Sequence, residues 1–234
     1  MLILGITFYG DNMKKALVLA GSRGIGKGIA DSFETLNNGL KWPKLEVIRT
    51  SSSDLDTSNI TSVNKFIDNN PVTDILVLNT GGPPSQKFQD ITKEDCDKYH
   101  NQLFYSFIKI LQKIKINDGG YIFLVSSYNI KEPDGKLMLS NAYRIAFTSV
   151  LKCLSKELAK RNITTINIAP GPIDTDRIRG LCKDIPALEE RLPMGRLGQV
   201  EEIGNFVKSI IDNNIKYLTG VTINFDGGKS SSLL

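Results

Sequence analysis

The fold is decided by the stretch Val18-Leu19-Ala20-Gly21-Ser22-Arg23-Gly24-Ile25-Gly26. This stretch follows the apolar run 16–19 and opens the amphipathic segment 25–33, so it predicts a strand, a glycine-rich turn and a helix. At such a turn the glycines allow the backbone to approach a pyrophosphate, and the helix N-terminus supplies free N–H donors and the positive end of a dipole. A glycine-rich turn alone is a weak signal. The strand before it and the helix after it favour a nucleotide site over a turn without a ligand.

Short apolar runs alternate with helix-length amphipathic segments along the rest of the chain. The predicted strands are residues 16–20, 45–50, 75–79, 121–126, 165–169 and 221–225, and the predicted helices are residues 26–36, 62–69, 93–114, 141–161 and 201–213. This alternation predicts an α/β fold, a single Rossmann-like, doubly wound parallel sheet with helices on both faces.

The region between residues 36 and 75 is too short for a complete sheet of this kind. A doubly wound sheet would hold two strands and one crossover helix there, and a parallel crossover takes a dozen or more residues. Because residues 45–56 can supply only one strand, we expect the sheet to lack one edge strand and its crossover helix.

Residues 13–234 are expected to form one dinucleotide-binding domain, preceded by an N-terminal extension of residues 1–12 that lacks the features of a signal peptide. Within this domain the charged, proline-interrupted loop 174–196 is predicted to be the longest irregular piece. We expect it to be a mobile lid that shapes the substrate pocket.

The composition argues against several classes of protein. The chain has 234 residues, of which 41% are hydrophobic, and its apolar runs are shorter than the roughly 18 residues that suggest a membrane span. Its three cysteines are far apart and odd in number, which argues against disulfides or a metal site and favours a reducing, cytoplasmic compartment. A single histidine, His100, disfavours a histidine-based triad. The net charge of +4 is spread along the chain, which argues against nucleic-acid binding and suits an anionic cofactor or substrate.

Five glycine- or proline-containing motifs follow one another along the chain. They are Ser22-Arg23-Gly24-Ile25-Gly26, Leu78-Asn79-Thr80-Gly81-Gly82-Pro83, Ile168-Ala169-Pro170-Gly171-Pro172-Ile173-Asp174-Thr175, Pro193-Met194-Gly195-Arg196-Leu197-Gly198 and Asn224-Phe225-Asp226-Gly227-Gly228. In this order they resemble the motifs of the short-chain dehydrogenase/reductase family, especially its acyl-carrier-protein-reductase-like members. The resemblance covers roughly residues 14–228. It implies an oxidoreductase that interconverts a carbonyl and an alcohol on a small-molecule substrate with a nicotinamide cofactor, and a homodimer or homotetramer.

By this resemblance the cofactor is expected to contact the loops after three strands. The residues concerned are Gly21, Ser22, Arg23, Gly24, Ile25 and Gly26 in the first loop, Asn79, Thr80 and Gly81 in the second, and Pro170, Gly171, Ile173 and Thr175 in the third. In the family the last of these loops holds the nicotinamide end.

The end of the second strand favours NADP(H) over NAD(H). An enzyme selective for NAD usually places Asp or Glu there to bind the ribose 2′-hydroxyl, whereas this chain has no acid until Asp54. Arg23 and Arg49 could pair with a 2′-phosphate and Ser51 could hydrogen-bond to it, which places Thr50 and its neighbours in the cofactor site.

The catalytic segment departs from the family, which uses a Ser, a Tyr about thirteen residues later, and a Lys four residues after that. In the family Tyr protonates the carbonyl oxygen, Lys holds the nicotinamide ribose and lowers the Tyr pKa, and Ser hydrogen-bonds the substrate. Here the Ser position is Ser127, the Tyr position falls on Ser140 and the Lys position on Arg144, with Tyr143 close by. The helix-borne catalytic Asn of the family aligns with Leu103.

Two interpretations of this segment remain open. In the first, Tyr143 or Ser140 acts with Ser127 on the carbonyl oxygen, and Arg144 is the fixed positive charge. In the second, the chain is a regulatory module that binds a dinucleotide without transferring hydride. A lyase or epimerase on the same fold is a weaker third hypothesis.

Overall fold

The computed structural model describes residues 13–35 and 45–233, so the predicted extension 1–12 lies outside the described residues. Its centre is a sheet of six parallel strands in the order β2-β1-β3-β4-β5-β6. The strands are β1 (Lys14–Val18), β2 (Leu45–Arg49), β3 (Val72–Leu78), β4 (Lys115–Val125), β5 (Thr164–Pro170) and β6 (Val221–Phe225). Each predicted apolar run is therefore a strand, and the predicted parallel sheet is confirmed.

Helices cover both faces of this sheet. They are α1 (Gly24–Glu34), α2 (Ile60–Asn69), α3 (Lys93–His100), α4 (Ser106–Lys113), α5 (Met138–Leu158), α6 (Asp176–Leu181), α7 (Ile185–Glu189) and α8 (Val200–Asp212). One core cluster takes Phe33 from α1 and Val207 from α8, and the other takes Phe66, Phe107 and Phe147 from α2, α4 and α5.

Strand β1 shows why the strands are apolar at every position. Ala16 and Val18 belong to the cluster under α1 and α8, whereas Leu17 belongs to the cluster under α2, α4 and α5. Successive side chains of a strand point to opposite faces, so a sheet covered on both sides needs an apolar residue at each step.

The connection from β2 to α2 confirms the predicted loss of an edge strand. Residues 50–59 are all described and contain neither a strand nor a helix. Among the described strands, β2 pairs only with β1 and forms one edge of the sheet.

The strand order reverses at β1, which has β2 on one side and β3 on the other. The loops after β1 and β3 therefore diverge at the carboxyl edge of the sheet and leave a crevice between them. This reversal positions the candidate site.

Two glycines allow α1 and α8 to pack with their backbones in contact. A Cβ atom on Gly28 would lie 2.5 Å from the carbonyl oxygen of Val200, and one on Gly204 would lie 2.3 Å from the carbonyl oxygen of Gly28. Both distances are too short for a side chain, so the position of α1 over β1 depends on these two residues.

The sequence predicts that segment 174–196 is irregular. In the structure it contains the short helices α6 and α7. The Asp184 carboxylate accepts a hydrogen bond of 3.0 Å from the Ala187 amide and so caps α7, and Pro186 lies in the first turn of that helix. Proline is favourable there because the first turn of a helix does not use its N–H groups. The predicted mobility of this segment stays a prediction.

Candidate active site

The loop between β1 and α1 is folded tightly back on itself. Ala20 and Gly24 both have positive φ, 47° and 53°, and the Ala20 amide donates a 2.9 Å hydrogen bond to Thr50 Oγ1 at the end of β2. A Cβ atom on Gly26 would lie 2.1 Å from the Ala20 carbonyl oxygen, so the first turn of α1 can meet the loop only with glycine at this position. Thr50 thus holds the loop in place and is itself buried.

This loop has the features that a dinucleotide phosphate requires. No side chain caps the first turn of α1, whose N-cap residue is Arg23, so the free N–H groups of that turn can bind an anion. Ser22 and Arg23 are exposed, and Ile25 is half-buried beside them. The loop after β1 and the loop after β5 meet, because a Cβ on Gly24 would lie 3.5 Å from Thr175 Cγ2.

The predicted residues after β3 lie at the same edge. Asn79 Nδ2 is 3.5 Å from the Ala20 carbonyl oxygen, and Thr80 Oγ1 is 2.9 Å from Thr57 Oγ1. The Gly81 carbonyl accepts a 3.0 Å hydrogen bond from Gln102 Nε2. The structure therefore brings the loop after β3 to the loop after β1.

The predicted residues after β5 are held by neighbouring strands and loops. Pro170 ends β5, and the Gly171 amide donates to the Phe225 carbonyl of β6 at 3.0 Å. Ile173 is buried and forms a bridge with Gly198. The segment therefore enters α6 from a fixed position.

The end of β2 differs from the expected 2′-phosphate site. Arg49 forms salt bridges with Asp31 at 2.5 Å and Glu34 at 2.6 Å, both on α1. Burial alone would lower the pKa of Arg49, but the hydrogen bonds with these two carboxylates raise it. The Ser51 hydroxyl donates to Asp54 at 2.7 Å. Two of the groups expected to bind the phosphate thus already have carboxylate partners.

The Arg144 guanidinium lies at the carboxyl ends of β3 and β4. Its Nη1 donates to the Val125 carbonyl at 2.9 Å and to the Ser126 carbonyl at 3.3 Å, and its Nη2 donates to the Thr80 carbonyl at 3.2 Å. Among the described residues it has no carboxylate partner. Desolvation, with a smaller contribution from the charge of Arg177, lowers the pKa of Arg144 to about 10. This is still well above neutral pH, so Arg144 is cationic.

Ser140 is bound to Arg144 in a way that leaves its hydroxyl proton available. Arg144 Nε donates to Ser140 Oγ at 3.2 Å, one helical turn away on α5. Ser140 is buried, with 7% of its surface exposed to solvent. Because its oxygen accepts this hydrogen bond, its own hydrogen can point to another acceptor in the crevice.

Ser127 follows β4 and is half-buried. Its Oγ accepts a hydrogen bond of 3.2 Å from the Asn129 amide and caps the short helical turn Tyr128–Ile130. Arg144 donates to the carbonyl of Ser126, the residue before Ser127, and also to the Ser140 hydroxyl. The same guanidinium therefore lies near both predicted serines.

Tyr143 does not share these contacts. Its hydroxyl donates to the Cys96 carbonyl of α3 at 3.1 Å, and its ring lies 5.7 Å from that of His100. Burial, the Cys96 side chain, the hydrogen bond to Cys96 and the charge of Asp97 raise the pKa of Tyr143. The structure therefore brings Ser140 and Arg144 together at the strand ends, whereas the Tyr143 hydroxyl is engaged with α3.

One residue that the sequence analysis missed is Gln102, which binds the loop after β3. It lies in a π-helical turn, Asn101–Tyr105, that joins α3 to α4. Such a turn inserts an extra residue and is often found at functional sites. Leu103, which aligns with the catalytic Asn of the family, is buried. No local sequence signal marks a π-turn, so the turn of Gln102 toward Gly81 could not be predicted.

Known proteins resemble this chain in sequence and in fold. A family model described as enoyl-(acyl carrier protein) reductase matches residues 54–230, more than half of the chain. The chain belongs to the short-chain dehydrogenase/reductase family. It is accordingly an oxidoreductase that acts on the pair CH–OH and C=O.

Individual members of the short-chain dehydrogenase/reductase family resemble it along most of its length. It is 27% identical over 242 residues to the 3-oxoacyl-[acyl-carrier-protein] reductase FabG of Buchnera aphidicola, with 92% of this chain and 96% of that protein covered. It is 25% identical over 256 residues to the NADPH-dependent reductase BacG of Bacillus subtilis, with 94% and 99% covered. A solved variant of a short-chain dehydrogenase/reductase from Serratia marcescens is 26% identical with a TM-score of 0.76, over 93% of this chain and 98% of that one.

Within residues 13–35 and 45–233, no three His, Cys, Asp or Glu side chains are placed to hold a metal ion. In the same part of the chain, every helix is too short or too polar to cross a bilayer.

Proposed function

We propose that this chain is an NADP-dependent reductase or dehydrogenase in which Ser140, polarised by Arg144, takes the place of the usual tyrosine. The observation that carries the proposal is the 3.2 Å hydrogen bond from Arg144 Nε to Ser140 Oγ. It leaves the Ser140 proton free and puts a positive charge beside the serine oxygen.

The bound nicotinamide ring would supply the hydride to the carbonyl carbon or accept it in reverse. The chain's own residues act on the carbonyl oxygen, which becomes an alkoxide during reduction. Ser127 and Ser140 donate hydrogen bonds to this oxygen, and the Ser140 proton completes the alcohol. Arg144 favours the serine alkoxide that results, because a nearby positive charge favours the ionised form, and solvent returns the proton.

The test is NADPH consumption over a broad panel of carbonyl compounds, with NADPH binding measured in the same sample. We expect turnover on some members of the panel, and Arg144→Met should reduce kcat about a hundredfold because it removes the charge beside the developing alkoxide. Saturable NADPH binding without turnover on the whole panel would instead favour the regulatory, non-catalytic alternative. Product formed without net NADPH consumption would favour a lyase or epimerase.

The preference for NADP(H) over NAD(H) is supported by the absence of an acid at the end of β2 and by Arg23. Arg23 is exposed and has no salt bridge with any described residue. The resemblance to an NADPH-dependent reductase of Bacillus subtilis supports the same choice. The cofactor contacts that we propose are the predicted ones, with Arg23 in place of Arg49 as the main partner of the 2′-phosphate.

This preference can be tested with two matched variants. Arg23→Gln should weaken NADPH binding about tenfold and leave NADH binding unchanged, because only NADPH has the 2′-phosphate. Arg49→Gln should weaken NADPH binding less, because Arg49 already pairs with Asp31 and Glu34. Fluorescence titration of both cofactors gives the dissociation constants. A larger effect of Arg49→Gln would show that Arg49 leaves its carboxylates to bind the phosphate.

We also propose that the chain forms a homodimer or homotetramer in the cytoplasm and acts on a small-molecule carbonyl or alcohol. Tyr105 and Ile145 support self-association, since they are large hydrophobic residues exposed near α4 and on α5. Cys96, Cys153 and Cys182 are free, which suits a reducing compartment. Sedimentation velocity measures the oligomeric state directly.

A further inference from the structure

Two arginines converge over Gly82 in the loop after β3. The point that a Cβ atom on Gly82 would occupy lies 3.5 Å from Arg144 Nη2, 3.3 Å from Arg177 Nη2 and 3.5 Å from Ser140 Oγ. Arg177 comes from α6, in the segment that shapes the pocket, whereas Arg144 and Ser140 come from α5. Two cationic groups and the proposed proton donor therefore share one small region.

No carboxylate in the described part of the chain pairs with Arg177, just as none pairs with Arg144. Arg179, two residues along the same helix, forms a salt bridge with Asp174 at 2.6 Å. Partial desolvation lowers the pKa of Arg177, although the residue as a whole is exposed to solvent. Two like charges placed close together without an acid repel each other, so an anion between them is favoured.

The hydrogen-bond inventory shows which of the two arginines can hold that anion. Arg144 uses Nε, both hydrogens of Nη1 and one of Nη2, so it has one N–H left. Within the described residues, the Arg177 side chain makes one hydrogen bond, from Nη2 to the Pro83 carbonyl at 2.5 Å. Its remaining N–H groups form the fork that binds a carboxylate through two parallel hydrogen bonds.

We propose that the substrate is an oxo acid, whose carboxylate binds Arg177 while its carbonyl oxygen binds Ser140 beside Arg144. This inference rests on the proposed function, because it places the reacting carbonyl at Ser140. The shared point over Gly82 keeps the two sites close, so the carboxylate must lie within a few bonds of the carbonyl carbon. The substrate class is therefore a 2-oxo or 3-oxo acid or the corresponding hydroxy acid.

The test compares each acid with its methyl ester, which keeps the carbonyl and removes the charge. The probes are 2-oxobutanoate and 3-oxobutanoate with their esters, and binding is measured by calorimetry on the protein loaded with NADP+, which has no hydride to transfer. We expect the wild type to bind at least one acid about tenfold more tightly than its ester, and Arg177→Met to lose this preference. Arg179→Met is the matched control on the same helix and should keep the preference, because Arg179 is already paired with Asp174.

Equal affinity of acids and esters in the wild type, or an acid preference that survives in Arg177→Met, would overturn the proposal. NADPH affinity is measured in the same variants. A loss of NADPH binding in Arg177→Met with the acid preference intact would also overturn it, since Arg177 would then hold a cofactor phosphate. Turnover of the same probes is recorded separately. A preference for the acid without turnover would support the anion site and contradict the proposed function. Turnover without a preference for the acid would support the proposed function and contradict the anion site.

Discussion

At the scale of single residues, the catalytic segment is understood through one guanidinium. Arg144 binds backbone carbonyls at the end of β4 and in the loop after β3, and it donates its Nε–H to Ser140. A lysine has three donors on one atom and could not reach all these acceptors at once. Compared with the family pattern, the replacement of Lys by Arg at position 144 is therefore linked to the replacement of Tyr by Ser at position 140, one helical turn earlier.

The role of Tyr143 separates this account from a tyrosine-based mechanism. Tyr143→Phe should leave kcat/KM within about twofold of the wild type, because the hydroxyl binds the Cys96 carbonyl and not the substrate. It should lower the free energy of unfolding by about 1 kcal/mol, the usual contribution of one such hydrogen bond. Steady-state kinetics and urea denaturation measure the two effects. A drop in kcat of a hundredfold would identify Tyr143 as the proton donor.

The sequence predicts Ser127, Ser140 and Arg144 as site residues but does not predict which groups they contact. Their positions follow from strand ends and helical spacing, which are local properties. The salt bridges of Arg49 with Asp31 and Glu34 depend on how α1 lies over β2, which no spacing rule predicts. For the same reason the sequence predicts an Arg49 that is free for the cofactor, and it gives no indication that Arg177 lies beside Arg144.

At the scale of elements, strand β4 shows how a local signal can mislead. The apolar run predicts a strand over residues 121–126, directly after Gly119 and Gly120, which interrupt the apolar pattern. In the structure β4 begins at Lys115, and a register shift between Thr73 and Ile75 of β3 accommodates the interruption. Gly119 has a φ of 74°, which glycine adopts readily. The glycines thus mark an irregularity within the strand and not its start.

The contact between α1 and α8 makes a clear prediction for stability. Gly204→Ala should lower the free energy of unfolding by about 1–3 kcal/mol, because the new methyl group would lie 2.3 Å from the Gly28 carbonyl oxygen. Gly180→Ala is the matched control on α6, where a Cβ atom meets nothing within 4 Å. It should be neutral or stabilising by up to about 1 kcal/mol, since alanine favours helix more than glycine. Urea midpoints that fall equally in both variants would contradict the proposed backbone contact.

At the scale of the whole molecule, the two ends of the parallel strands carry different groups of residues. The carboxyl edge carries the crevice and the arginines, and the opposite edge carries a polar cluster around Asp74. This buried carboxylate accepts hydrogen bonds from Lys14 Nζ at 2.8 Å, the Lys15 amide at 2.9 Å and Asn117 Nδ2 at 3.1 Å. It therefore joins β1, β3 and β4 at the end of the sheet remote from the site.

This cluster predicts how stability depends on pH. Burial alone would raise the pKa of Asp74, but its hydrogen bonds with Lys14, the Lys15 amide and Asn117 lower it below the usual carboxyl value. Such a group stabilises the fold above its unfolded-state pKa, near 3.9, and loses this contribution as the pH falls through its folded-state pKa. Asp74→Asn should therefore cost about 2 kcal/mol at pH 7 and progressively less below about pH 4. Urea denaturation of both proteins as a function of pH tests this, and a difference that does not change with pH would contradict it.

The central claim is that Ser140, held by Arg144, gives its proton to the carbonyl oxygen. The most direct test is a single-turnover measurement in which NADPH-loaded protein is mixed with a saturating carbonyl substrate from the panel and the decay of NADPH absorbance is followed. We predict that Ser140→Ala slows this decay about a hundredfold or more while the NADPH dissociation constant stays unchanged. A decay as fast in Ser140→Ala as in the wild type would contradict the claim and return the proton transfer to another group.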